Sequence, residues 1–458
     1  MKKNVRYFIG SLILICGFVS CSDSLLDREP ISSFPGQGFY KKPSDAQAGV
    51  NGIYNSLQSV FRLNFAYWGE GRADNINTKH SGDPYALHHN ELTPIINSAS
   101  WNGFYKLISR ANYAIKYIPQ VFSDNESSLK NELMGQSRAL RAMAYFYMVR
   151  IWGDVPLITE PYESIEQEIF VERSSKEEVL KLIEDDLKFA AVNCADNYPG
   201  DRDKVWITKG GAYAFLTQLY MWQKKYQEAI DAAENVVGDS RYSLVSINDW
   251  NKMFVNGISS ESVFEIGYNE TQTNSLRILY AIGSDSDYVP SEDFMNSIEE
   301  GDLRRPRIYD ITEVAPRKIW KFFGVGFNDE NAEPSSNNII LARLADIMLL
   351  KAEAHAALGQ SEEALELLNQ IRRRAGLPGL DEDAAKSLYG DLNSAILHER
   401  SIELCFEGHR WFDLVRTGNA IAVMKPINGL NNEKNLVWPI HENDINRNPN
   451  IEQNEFYK

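Results

Sequence analysis

Cations are scarce in this chain. Across 458 residues, 47 Lys and Arg stand against 63 Asp and Glu, a formal charge of −16. A protein that coats nucleic acid or an anionic lipid surface needs the opposite balance, because cations must face the phosphates. Nucleic acid is therefore excluded as a partner. Cysteine is equally sparse: the 4 residues are Cys16, Cys21, Cys194 and Cys405, in no metal-binding or redox spacing. Long apolar runs are missing too. The one continuous stretch, Tyr7 to Phe18, is 12 residues long, short of the about 20 that a membrane-spanning helix needs.

Enzyme signatures are also absent. No phosphate-binding loop, His-Glu-x-x-His, Cys-x-x-Cys or Gly-x-Ser-x-Gly occurs, and Gly324-Val325-Gly326 lacks the third glycine of a dinucleotide site. His80, His88, His89 and Glu91 are the one group able to gather a metal, but their loop setting favours solvated or ligand-contacting side chains, so no metal and no cofactor is expected. Carboxylates are too many for any pair to stand out as a glycosidase dyad.

What the chain does have begins at its N-terminus. Lys2, Lys3 and Arg6 precede the short apolar run, the pattern of an export signal over residues 1–20. Phe18-Val19-Ser20-Cys21 then resembles a lipobox, which makes Cys21 the expected acylated residue. Plain cleavage near Ser20 is the weaker alternative. Removing residues 1–20 takes away three cations and deepens the charge to −19. Residues 21–43, rich in Ser, Pro and Gly, read as a surface tether, and Cys194 and Cys405 as two buried thiols, with a disulfide between them the alternative in an exported protein.

With 43% hydrophobic residues and a length beyond that of one small core, the remainder is a large globular protein. Ser44 and Asp45 are placed to cap a helix bearing Val50, Ile53, Tyr54 and Leu57 at helical spacing. Further helices are expected from Trp101 to Ile118, Leu129 to Trp152 and Ser174 to Ala191. Residues 207–237 and 343–371 each spell a helix pair in tetratricopeptide register: Leu216, Tyr220, Tyr226, Ala229 and Ala233 in the first, Ala352, Gly359, Ala364 and Leu368 in the second. Residues 240–336 carry more loop than helix. The organisation expected is thus a helical part over 44–239, an irregular lobe over 240–336 and a second helical part over 337–458, mostly α throughout. The charged run from Ile396 to Arg416 alternates in sign around an apolar stripe, which suits ion pairs between packed helices rather than catalysis.

Several segments resemble the SusD/RagB family of surface lipoproteins. They are Cys21-Ser-Asp-Ser-Leu-Leu-Asp27 with Pro30, Arg141 to Tyr147 running on to Gly153-Asp-Val-Pro-Leu-Ile158, and Leu368 to Leu377. Then follow Glu399-Arg400, Glu403-Leu404, Glu407-Gly-His-Arg-Trp-Phe-Asp-Leu414 and Trp438-Pro-Ile-His441, with Asn448-Pro449, Gln453-Asn454 and Tyr457 at the end. The resemblance implies a tetratricopeptide scaffold, display on the outer membrane at the cell surface, and capture of a glycan, or in some members a peptide, for a SusC-like TonB-dependent transporter. A surface glycoside hydrolase of helical fold is the alternative.

No motif of that family marks its ligand residues, so physics must choose them. Sugar C–H faces pack on aromatic rings, and hydroxyl groups need amide, carboxylate or guanidinium partners. The aperiodic loop Tyr67 to Trp101 offers Trp68, Arg72, Asp74, Asn75, Tyr85 and Trp101, and the irregular lobe offers Tyr288 and Trp320.

Overall fold

A computed structural model describes residues 38–78, 80–123, 127–164, 166–281, 286–312, 317–327 and 335–458. The signal segment, Cys21 and most of the tether lie outside the described residues. Helix α1 (Pro43–Gly69) buries Val50, Ile53, Leu57 and Phe61 along one stripe. It starts slightly earlier than its sequence suggests. Lys42 is the N-cap, and Asp45 sits in the first turn, where its carboxylate accepts the N–H groups of Lys41 and Lys42, both at 3.0 Å. After the short α2 (Asp83–His88) come α3 (Asn102–Tyr117) and α4 (Ser127–Trp152). From Ala139 to Trp152 every residue of α4 is buried, because α1, α3 and the next helix, α5 (Lys176–Asn193), pack around it. A helix buried on all sides belongs at the centre, and its two cations there are held, Arg141 on Asp186 and Arg150 over the Phe146, Tyr147 and Phe412 rings.

Gly153, with φ +74°, stops α4 in a conformation that favours glycine. Val155–Pro156 then pairs with Arg173–Ser174, and Ser175 with Glu178 closes a reciprocal capping box on α5.

The two tetratricopeptide-like pairs form as their spacing predicts. In α6 (Lys209–Trp222) and α7 (Tyr226–Val237), Leu216, Tyr220, Ala229 and Ala233 are buried between the helices. In α8 (Leu344–Ala357) and α9 (Ser361–Arg374), Ala352, Ala364 and Leu368 are buried likewise, and Gly359 turns the chain with φ +75°. The architecture is mostly helical, as expected. One feature the sequence did not announce is an antiparallel ladder of β1 (Ser262–Ile266) on β2 (Ile339–Arg343), buried along its whole length. It carries the irregular lobe directly into α8.

The charged C-terminal run lies in α10 (Leu392–Glu403), the turn after it and α11 (Arg410–Arg416). Glu403 is fully buried, accepts from Arg304 at 2.8 Å and Arg343 at 2.6 Å, and forms an ion pair with Arg374 at 2.5 Å. Glu407 takes Lys321 at 2.6 Å and Arg343 at 2.7 Å, and Arg343 also holds Glu261 at 2.6 Å. Nearby, Arg400 pairs with Asp346 and Asp413, both at 2.9 Å. These are structural ion pairs in a dry interior. The thiols of Cys194 and Cys405 are both free and buried.

Removing one partner from such a network leaves a buried charge unpaired, so Glu403→Gln is expected to cost about 3–5 kcal/mol in urea unfolding at neutral pH. Burial pushes the carboxyls of Glu403 and Glu407 up, but the surrounding Arg and Lys charges outweigh it and hold both below the usual range. Their stabilisation is complete above the ordinary carboxylate pKa of about 4 and is lost as pH falls through the lower native values. The gap between wild type and Glu403→Gln should therefore narrow in acid.

Candidate ligand-binding site

The end of α1 crosses the backbone of Glu407-Gly408-His409 in a close approach. A Cβ on Gly69 would lie 2.0 Å from the Gly408 carbonyl oxygen, so both positions need glycine. The carboxylate of Glu70, wholly buried, accepts the N–H groups of Gly408 at 2.7 Å and His409 at 3.2 Å and the Asn75 amide at 2.6 Å. Burial still raises its pKa to about 7. Asp74 takes both arms of Arg410 at 2.7 Å. Arg72 spans to Asn90 and the carbonyls of Asn435 and Leu436, and its guanidinium lies 4.3 Å from the Trp411 ring centre.

From the other side, Ser291 donates its hydroxyl to the Asp74 carbonyl at 2.6 Å and its N–H to that of Asn75 at 3.1 Å. Ile76–Asn77 pairs with Val289–Pro290. The loop from the first helical part and the irregular lobe thus meet, and the C-terminal segment fastens the loop.

At this junction the Tyr67 hydroxyl donates to Asp287 at 2.9 Å. Asp287 lies within electrostatic range of His80 and of Asp83, the first residue of α2. Burial raises both carboxyls above their ordinary range. At Asp83 the N–H groups of Ser98 and Asn97 oppose that rise, and at Asp287 the Tyr67 hydroxyl and His80 do so. Among the described residues, His80 Nε2, Ser98 Oγ, Ser286 Oγ and the Tyr288 hydroxyl around them are buried without a hydrogen-bond partner. On the outer face of α2, Tyr85 is 41% exposed and stacks on His89 with ring centres 3.8 Å apart. The result is an acceptor-rich polar edge beside an open aromatic ring, suited to hydroxyl groups and a C–H face. Among the described residues no three His, Cys, Asp or Glu side chains converge to hold a metal ion.

Of the eight side chains chosen from sequence, only Tyr85 offers an open ring. Trp68 is buried, stacked 5.0 Å from Phe104 with its indole N–H on the Ser98 carbonyl at 2.9 Å. Trp101 packs edge-on against Tyr105 and Trp152. Tyr288 is wholly buried with its hydroxyl against Gly71, and Trp320 lies buried in the lobe. Arg72, Asp74 and Asn75 are occupied in holding the loop. These seven correct the sequence choice: an aromatic in an aperiodic segment can anchor the segment as readily as face a ligand. Asp287 escaped notice because its partner Tyr67 lies 220 residues away, and no local pattern links them.

Comparison with known proteins agrees with this architecture. A family model described as the SusD family matches residues 219–457, and one described as starch-binding associating with outer membrane matches residues 48–221. SusD-like protein P38 of Formosa agariphila is 33% identical, with 100% of both chains covered. SusD-like protein P2 of the same organism is 26% identical over 99% of each. Among solved structures, a laminarin-binding SusD-like protein superposes with a TM-score of 0.78 at 26% identity, covering 91% of this chain and 100% of its own. A SusD homolog from Bacteroides thetaiotaomicron gives 0.77 at 26% identity, covering 91% and 99%.

Two classes of variant separate anchoring from binding. Trp68→Ala and Trp320→Ala should each lower stability by about 3–5 kcal/mol in denaturant unfolding, as truncation of a buried indole does. Tyr85→Ala and Asp287→Asn should leave the melting temperature within a few degrees of wild type and weaken ligand binding at least tenfold. Native affinity in both of the latter would remove this edge from the site.

Proposed function

This chain belongs to the SusD family, and from that premise we propose that it is a non-catalytic, glycan-binding outer-membrane lipoprotein that passes captured oligosaccharide to a SusC-like TonB-dependent transporter. The observation that carries the reading is the full-length overlay on a laminarin-binding relative. The junction of Tyr67, Asp83, Tyr85 and Asp287 supports it chemically, with an exposed ring for a sugar face and carboxylate acceptors for hydroxyl groups. Cys21 would carry the acyl anchor. A diacylglyceryl group and an amide-linked chain bury enough methylenes, at about 0.8 kcal/mol each, to hold the protein on the membrane without a spanning helix. None of the helices among the described residues is long and apolar enough to span, and the family description places its members at the outer membrane.

The hydrolase reading has one foothold, the neighbouring carboxyls of Asp83 and Asp287 with their raised pKa values. Titration calorimetry against laminarin, amylose, xylan and mannan, with a parallel assay for reducing ends, decides between the two. Saturable binding without release of reducing ends is expected. Turnover that disappears in Asp83→Asn would replace the binding protein with an enzyme.

A further inference from the structure

A cavity of about 360 Å³ opens beside the buried Trp68–Phe104 stack, away from the Asp83–Asp287 edge. It runs between the facing ridges of α1 and α3, whose lining positions recur at four-residue spacing: Ser56, Val60, Asn64 and Trp68 on one helix, Asn102, Lys106 and Arg110 on the other. Its volume falls within the roughly 300–1,000 Å³ of pockets that hold small ligands.

The floor is made by a close approach of the two helices. A Cβ on Gly103 would sit 3.1 Å from Val60 Cγ2, so glycine keeps the groove narrow at its base. Arg110 closes one end by donating to the Gly52 carbonyl and the Ser56 hydroxyl, both at 2.7 Å. The other end opens at Trp68 and Ser100.

Two features of this groove suit a saccharide. First, its rim is polar and open: among the described residues, neither the exposed side-chain amides of Asn55 and Asn102 nor the exposed ammonium of Lys106 has a partner. Asn64 uses only its amide N–H, toward the Val60 carbonyl, and keeps its oxygen. Amides both donate and accept, which is what vicinal hydroxyl groups require. Second, one short chain segment, residues 97–100, joins the groove to the polar edge. Asp83 receives the N–H groups of Asn97 and Ser98, the Ser98 carbonyl accepts the Trp68 indole, and Ser100 lines the open end.

We propose that the α1/α3 groove is a second saccharide subsite, so that one extended glycan is held across residues 97–100 with one part at Asp83 and Asp287 and the next along Asn64, Ser59 and Lys106. The inference rests on the glycan-binding reading and adds to it a preference for chain length. Ligand units beyond those at the polar edge contribute affinity only where the groove is open.

The test titrates full-length protein with the disaccharide and hexasaccharide of each of the four panel glycans. Native protein should bind a hexasaccharide at least tenfold more tightly than its disaccharide. Ser59→Trp, which fills the groove from an exposed position, should abolish that gain and leave disaccharide affinity unchanged. The Asn55→Ala/Asn102→Ala pair, which removes amides without adding bulk, should reduce the gain in the same direction, while Asp287→Asn weakens both lengths. Equal affinity for both lengths in native protein, or an intact gain in the groove variants, would overturn the subsite and leave the glycan reading standing. Loss of disaccharide binding in Ser59→Trp with none in Asp287→Asn would overturn it by making the groove the primary site. If no glycan binds native protein, the reading and the subsite fall together.

Discussion

The fold hangs on a set of charges that water never reaches. Glu403 collects Arg304 and Arg343 while Arg343 reaches on to Glu407 and Glu261. They come from three separate parts of the chain: the irregular lobe supplies Arg304, Lys321 and Glu261, the end of β2 supplies Arg343, and α10 and its following turn supply Glu403 and Glu407. Desolvating an ion costs several kcal/mol, and only near-ideal geometry recovers it. Apolar contacts accept many relative placements because they are non-directional. Ion pairs at 2.6–2.8 Å accept few. The lobe, the β1–β2 ladder and the α8–α9 pair are therefore locked in one arrangement by charge, while apolar burial supplies the bulk of the stabilisation.

Much of this was legible from spacing alone. Small residues at Ala229, Ala233, Ala352 and Ala364 fit only where two helices nearly touch, and alternating charges around Glu399 to Arg416 signalled pairing across packed elements. The β1–β2 ladder was not legible. Its strands lie far apart in sequence and are buried on both faces, so neither shows the alternation that marks a half-exposed strand. The candidate site was legible only in outline. Tyr67 to Trp101 and the lobe do converge, but the choice of side chains within them failed for a physical reason. Trp68 and Tyr288 supply large apolar area with one polar tip, and a loop that must stay rigid uses such residues to anchor itself.

That anchoring bears on recognition. Residues 70–77 are held by Arg410, Ser291 and the backbone of Gly408 and His409 before any ligand arrives. Little loop ordering remains to be offset by binding energy, which is the benefit of a pre-organised surface. The exposed edge presents carboxylates, and the chain as a whole is strongly acidic. Neutral, hydroxyl-rich ligands meet no repulsion there, whereas uronates and sulfated chains would.

The crossing of Gly69 over Gly408 also bears on the order in which the chain folds. Asp74 and Glu70 find their partners 336 and 338 residues further along. Contacts of such separation form late, after their loop-closure entropy has been met. Helices α3 to α7 pack on near neighbours in the chain, but the candidate edge has nothing to dock on until residues 408–410 are in place. The scaffold can therefore form before the edge does, and any affinity the edge has waits on these last contacts.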